Sequence, residues 1–385
     1  MQFDVVVIGA GIVGSSCAYF LAREGPRVCV VDRGGIAGGT SGSGEGNILV
    51  SDKGPGPELE LATLGCLLWE DLAAQFADDF EYENKGGIIV AENAADMSGL
   101  RAAMEAVRGS GVAVSEMDLG DLREAEPYLA RDVAGGAFFP QDAQVQPMRA
   151  SAALMRQALA LGAVFLDHTE VVAIDRDARG AVSGVRTRGG LIATPRVVNA
   201  AGPWSAQIAS MVNARVPVQP RKGHIVVTEP LPPLVRHKVY DAGYGDTVNS
   251  GDSALQIASV VEGTKSGTIL LGSSRQLKGF DPAVEPAVVQ AIVRRAVRFF
   301  PILASTRALR AYVGFRPFMP DHLPAIGEVP DVPGFYVNTG HEGAGIGLGP
   351  ISSKLLGEII LGQPPTMDLT PFDPARFAGS AIACA

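Results

Sequence analysis

Phe3-Asp4-Val5-Val6-Val7-Ile8-Gly9-Ala10-Gly11-Ile12-Val13-Gly14 begins a unit that Asp32 closes. Phe3–Ile8 is β-branched and continuously apolar, the pattern of a strand buried on both faces. A glycine turn follows at once, and helical periodicity then runs from Ile12 to Glu24 until Gly25-Pro26 stops it. Arg27–Val31 reads as a second buried strand. Strand, glycine turn, helix, strand and acid stand in the order of a dinucleotide-binding βαβ unit.

Each residue of the turn has a task. Gly9 permits the tight bend, and Gly11 lets the backbone approach a pyrophosphate with no β-carbon in the way. Gly14 lets the helix pack closely on the strand. The helix start, with Ala10, Ile12 and Val13, offers N–H groups and the positive end of a dipole to phosphates. Asp32 can accept hydrogen bonds from both hydroxyls of an adenosine ribose. This signature does not choose between FAD and NAD.

The 385 residues exceed the usual size of one domain and suggest roughly two. Hydrophobic residues make up 47% and charged residues 19%, which suits a globular enzyme with a large core. A formal net charge of -9 and the lack of long basic runs argue against a nucleic-acid partner. No apolar run approaches the ~18–20 residues of a membrane span, and Phe3–Ala10 is too short for a signal peptide. Cys17, Cys29, Cys66 and Cys384 form no CxxC, so no disulfide framework is expected. The expected location is the cytoplasm, with a peripheral seat on the inner membrane face allowed. His341-Glu342 opens like a zinc-protease motif, but Gly345 stands where a second histidine is needed, so no metal is expected.

Gly38–Asn47 is a Gly/Ser-rich loop suited to a backbone nest for an anion. The spacing then predicts helices over Glu58–Phe76, Met97–Gly109, Met148–Leu161 and Glu285–Phe300. Strand-rich stretches occupy Phe80–Val145 and Val216–Arg310. The end reads as strand Phe335–Asn338, glycine-rich turn Gly340–Gly349 and helix Pro350–Leu361.

Five segments stand in a characteristic order: GAGIVG with Asp32, the Thr40-Ser41 loop, VVNAAGPWS at 197–205, GFRP at 314–317 and GHEGAGIGLGP at 340–350. Together they resemble the D-amino-acid oxidase and glycine oxidase superfamily of FAD enzymes over nearly the full length. Within it, the chain looks most like the catalytic subunits of opine oxidases, hydrogen cyanide synthase and hydroxyproline dehydrogenases. The resemblance implies a discontinuous α/β Rossmann-type FAD domain from residues 1–80, 146–215 and 321–385. It also implies an α+β substrate domain with a mainly antiparallel sheet, from 81–145 and 216–320.

The cofactor so implied is non-covalent FAD. Beyond the first turn, Asp32 and Arg33, its contacts would come from Thr40, Ser41, Gly46, Asn47, Ile48, Val172, Ala201, Gly202 and Trp204. The turn made of Gly340, His341, Glu342, Gly343, Ala344, Gly345, Ile346 and Gly347 would face the flavin's pyrimidine edge, where N–H groups favour hydride acceptance. Arg316 would bind a substrate carboxylate in a bidentate pair, its alternative being an internal salt bridge to Asp321. Glycine oxidases carry a second arginine in the closing turn, and this chain does not. Glu45 and Asn47 would lie beside the isoalloxazine; His224 and Gln256 would line the substrate side or serve as satisfied structural groups. Tyr240 and Tyr244 fit a core or loop role, and Trp204 fits packing within the FAD domain.

The function implied is oxidation of the CH–NH bond of a small amino acid, imino acid or opine-like substrate. Hydride passes to flavin N5 and the imine hydrolyses. Partners implied are the small-molecule amine and either small subunits or further copies of the chain. The alternatives are an NAD-dependent dehydrogenase and a flavin-carrying subunit without turnover of its own.

Overall fold

Val5–Ile8 (β1) is buried along its whole length because neighbours flank it on both edges. It runs parallel to β2 (Val28–Val31) and to β12 (Val197–Asn199). β2 continues in parallel to β8 (Val164–Leu166), and β12 to β19 (Phe335–Thr339). β18 (Ala325–Glu328) closes the other edge antiparallel to β19, giving the order β18-β19-β12-β1-β2-β8. This is the parallel-rich sheet of a Rossmann-type fold. Val6, Ile8, Cys29, Val197, Phe335 and Val337 belong to its apolar core. A separate antiparallel sheet joins β9 (Val171–Arg176), β10 (Val182–Thr187) and β11 (Gly190–Ala193).

The computed structural model describes residues 1–245 and 250–378, and the chain divides into two compact units. The first holds Met1–Gly42, Pro147–Pro220 and the chain from Arg316. The second holds Ser43–Gln146 and Arg221–Phe315. The second unit is α+β. Its strands are β17 (Ala308–Phe318), β13 (Gln219–Thr228), β16 (Ile269–Arg275), β15 (Gln256–Gly263), β14 (Lys238–Asp241), β4 (Gly87–Ala91), β6 (Gly135–Phe139) and β5 (Ser115–Met117), in that order across one sheet. Pairing is mainly antiparallel, with β14 and β4 parallel. The helix Pro286–Phe299 buries Val288, Ile292, Ala296 and Phe299, an i, i+4 stripe, in the same apolar cluster as Val261 and Leu271. A two-stranded pair, β3 (Asn47–Ile48) with β7 (Ala143–Gln144), accompanies it.

Three expectations differ from the structure. Residues 43–80 group with the second unit, where the Val50 and Ser51 N–H groups bond to Asp142 and the Phe80 carbonyl accepts the Gln146 N–H. The stretch Phe80–Val145 holds a second helix, Leu119–Ala125, fixed by a capping box between Asp118 and Asp121. The closing helix begins at Gly345 and contains Pro350, where the sequence suggests a turn up to Gly349. Its glycines, poor helix formers, are retained for close packing: a β-carbon at Gly349 would lie 3.3 Å from the side chains of Ile12 and Val13.

A β-carbon at Gly14 would lie 1.8 Å from the Gly9 carbonyl oxygen, a backbone atom that cannot swing aside. Gly14→Ala is therefore expected to cost about 3 kcal/mol or more. Gly99→Ala, on an exposed helical site where a β-carbon meets nothing within 4 Å, is expected to stabilise by about 0.5–1 kcal/mol. Guanidinium unfolding of the two variants checks the contrast.

Candidate active site

Within the first unit the turn at Gly9–Gly14 is held from three sides. Asp32 accepts the Ala10 N–H through Oδ2 and the Gly34 N–H through Oδ1, both at 2.7 Å. Ser41 Oγ accepts the Ile12 N–H at 2.9 Å, so the Thr40–Ser43 turn is fastened to the start of the first helix. Gly9 has φ +110, and a β-carbon there would meet the Ala200 carbonyl at 2.5 Å. The first helix has no side-chain bond from its N-cap, Gly11, and no acid in its first turn. The Arg33 guanidinium lies 4.3 Å from the centre of the Trp204 ring, and that ring also sits beneath Gly39. Trp204 thus packs inside the first unit. Val172 is 48% exposed at the start of β9.

The loop after β12 is tied to the end of β19. Ser205 Oγ donates to Thr339 Oγ1 at 2.8 Å, and Thr339 Oγ1 donates to the Gly202 carbonyl at 3.1 Å. The chain then turns at Gly340, φ +86, where a β-carbon would meet Met319 Cγ at 2.4 Å. His341 is buried, and its Nε2 lies 2.9 Å from Ser352 Oγ. Ser352 Oγ itself donates to the Gly349 carbonyl, so Nε2 is the protonated nitrogen. Burial holds the His341 imidazole down to about 3. Glu342 Oε1 sits 3.0 Å from His322 Nδ1. Arg316 is half-buried, and its Nε and Cδ would lie 3.6 and 3.8 Å from a β-carbon at Gly343. Asp321, the alternative partner considered for Arg316, is engaged by Arg376 Nε at 2.7 Å. All the motifs of this unit are therefore linked in one run of contacts.

In the second unit, Glu45 and Asn47 are buried on the segment that enters β3. Gly46 pairs by backbone with Val145, and Ile48 is buried against β7. His224 is fully engaged: the Glu285 N–H donates to Nε2 at 3.2 Å, and Nδ1 lies 3.0 Å from Ser274 Oγ. Burial first, and then the Lys222 ammonium, holds its imidazole below the usual histidine value. Gln256 accepts from Arg221 Nη2 at 3.0 Å and donates to Ser250 Oγ at 2.5 Å. Tyr240 and Tyr244 are core residues with Leu49, Ala258 and Val260. Sequence reasoning missed the buried pair Lys238 and Glu262 and the fully buried Arg221. Only Glu262 carried a signal, as the single charge in its strand. Among the described residues no group of side chains fits a metal ion, and no helix is long and apolar enough to cross a membrane.

His341 generates a pH dependence. Its folded value lies below its unfolded one, so acid protonates the unfolded chain first and stability falls as pH drops below about 6.5, down to about 3. The stability advantage of wild type over His341→Gln is expected to shrink by up to about 1.4 kcal/mol per pH unit between pH 6 and 4. Denaturant unfolding at several pH values measures the slope; parallel curves refute it.

Residues 4–359 match the family model described as DAO, FAD dependent oxidoreductase. The hydrogen cyanide synthase subunit HcnC of Pseudomonas aeruginosa is 30% identical, over 100% of this chain and 98% of that protein. Glycine oxidase of Geobacillus kaustophilus is 29% identical, over 98% of each. The crystal structure of the Geobacillus kaustophilus glycine oxidase superposes with a TM-score of 0.89 at 27% identity, covering 98% of this chain and 100% of that one. L-proline dehydrogenase from P. horikoshii shares the fold, with a TM-score of 0.88 at 23% identity over 98% of each chain. Matched along nearly all its length, and carrying the cradle described above, the chain belongs to the DAO family of FAD-dependent oxidoreductases.

Proposed function

We propose that this enzyme oxidises the CH–NH bond of a small amino acid, imino acid or opine-like substrate to an imine, which water hydrolyses. The observation that carries the reading is Arg316, whose side chain lies along the Gly343 turn in the same unit as the dinucleotide cradle. A guanidinium has five donors in a planar fork and suits a carboxylate. The 29% identical glycine oxidase supports a substrate of this class.

The cradle residues fit FAD. Gly9 and Gly14 stand where any side chain would strike backbone, and a helix start with no acid in its first turn suits a pyrophosphate. Asp32 keeps acceptor capacity beyond its two backbone bonds, enough for ribose hydroxyls. The closing turn with His341 kept neutral would present backbone N–H groups rather than a side-chain charge. When bound, FAD supplies the hydride acceptor. The protein's part is orientation and electrostatics, with no strong base required of it.

Several outcomes are expected. The purified protein should be yellow, and acid precipitation should release FAD into the supernatant; a colourless protein that binds NAD refutes the reading. Asp32→Ala should lower FAD content. Arg316→Ala should lower kcat/KM for an amino acid roughly 10- to 150-fold with FAD content near normal, and Arg316→Lys should fall between it and wild type. If Arg316→Ala instead loses FAD while a carboxylate-free amine is turned over as before, Arg316 is structural. One curated relative is named as a subunit, which supports transfer of electrons to partner subunits. The isolated chain should then turn over faster with an artificial acceptor than with oxygen, and rapid peroxide formation counts against partner dependence.

A further inference from the structure

Three glycines mark the path of Ser43–Asn47 across the eight-stranded sheet of the second unit. A β-carbon at Gly314 on β17 would lie 2.8 Å from the Ser43 carbonyl oxygen. One at Gly272 on β16 would lie 2.1 Å from Glu45 Oε1 and 3.1 Å from Ile225 of β13. Gly46 itself, tight against the Val145 carbonyl, directs its N–H toward Glu262 Oε1 of β15 at 3.4 Å. The Glu45 carboxyl therefore rests directly on the sheet, in space that only a glycine at 272 leaves.

Glu45 is 7% exposed, as is Asn47. Asn47 Nδ2 donates to Glu45 Oε2 over a long 3.4 Å. Glu45 Oε1 and Asn47 Oδ1 are buried and accept no hydrogen bond. The buried ammonium of Lys238 is bonded by Glu262 on the neighbouring strand and acts on Glu45 through charge, without a hydrogen bond. Two buried acceptors on one short segment thus lack a donor, where nearly all buried polar atoms have one. A partner that satisfies both must bring at least two polar hydrogens, and an acidic side chain favours a cation. An amine or ammonium meets both demands.

We propose that Glu45 and Asn47 form a binding site for an amine, with Glu45 as charge partner and Asn47 as second acceptor. The site lies within the second unit and stands apart from the amine-oxidation reading. An ether analogue of the same shape presents only lone pairs to two acceptors and is disfavoured there.

The test uses the holoenzyme and three probes: sarcosine, dimethylammonium, and methoxyacetate, in which an ether oxygen replaces the amine of sarcosine. Binding is followed by thermal shift, which is independent of turnover, and FAD content is checked in each variant. Glu45→Gln is expected to weaken sarcosine and dimethylammonium roughly 10- to 100-fold and to leave methoxyacetate unchanged or tighter. Asn47→Asp is expected to tighten dimethylammonium and weaken methoxyacetate, so the proposal remains open to refutation should Glu45→Gln not fold. Unchanged amine affinity in the variants, equal losses for all three probes, or a wild type that binds neither amine overturns it. Anaerobic bleaching of the wild-type flavin by amines separates the two levels. No bleaching by any amino acid, imino acid or opine sinks the amine-oxidation reading, whereas bleaching with amine affinity intact in the variants sinks only the assignment to Glu45 and Asn47.

Discussion

The Gly9 carbonyl oxygen stands where a β-carbon on residue 14 would fall, so the first helix lies on β1 closer than any side chain at 14 would allow. Other contacts depend on that approach. The closing helix meets Ile12 and Val13 across Gly349, and Ser353 Oγ donates to the Val13 carbonyl at 3.0 Å. Asn338 Nδ2 donates in turn to Ser353 Oγ at 3.2 Å, which ties β19 to both helices. The turn Gly340–Ala344 is the short span between β19 and the closing helix. Its backbone groups can hold position only while that three-part packing holds. The geometry that would face a cofactor is thus set by apolar packing, one hydroxyl and one side-chain amide behind it.

The second unit uses a related device with charge. Asp142 is fully buried, and a β-carbon at Gly87 would lie 2.1 Å from its Oδ2, much as Gly272 lies under Glu45. Asp142 accepts the Val50 N–H and the Ser51 N–H, and Ser51 Oγ donates to it at 2.5 Å. Burial pushes its carboxyl up to about 7, with the hydrogen bonds pulling the other way. Here the acid is satisfied, and it pins the stretch that follows β3. Glu45, just before β3, is buried in a comparable setting without that satisfaction. The contrast separates an anchoring acid from one with an acceptor still to fill.

The βαβ opening was legible because all its parts are local: one strand, one turn, one helix and one acid within a short span. The remaining cofactor segments are far apart in the chain, and their order made sense only through family resemblance. Their joining by Thr339, Gly202 and Ser205 required coordinates. The closing helix was misread at its start because glycine propensity points to a turn, whereas tertiary packing decides it. His224 offered no local sign that both its nitrogens would be engaged. The pairing of Lys238 with Glu262 across β14 and β15 is a matter of register, which neither strand shows alone.

The glycines among the described residues include two physical kinds. Gly25, Gly54 and Gly109 meet nothing within 4 Å and serve the backbone alone. Gly14, Gly87, Gly272 and Gly314 lie where one segment crosses another and would collide with it if they bore a side chain. Gly87, Gly272 and Gly314 weaken the strands they occupy, because glycine packs nothing and loses more entropy on ordering. A sheet keeps such residues only if the crossing segment needs the space. For Gly87 the need is the anchoring Asp142; for Gly272 it is a carboxyl that the protein itself leaves half satisfied, which is why stability alone does not account for that pair.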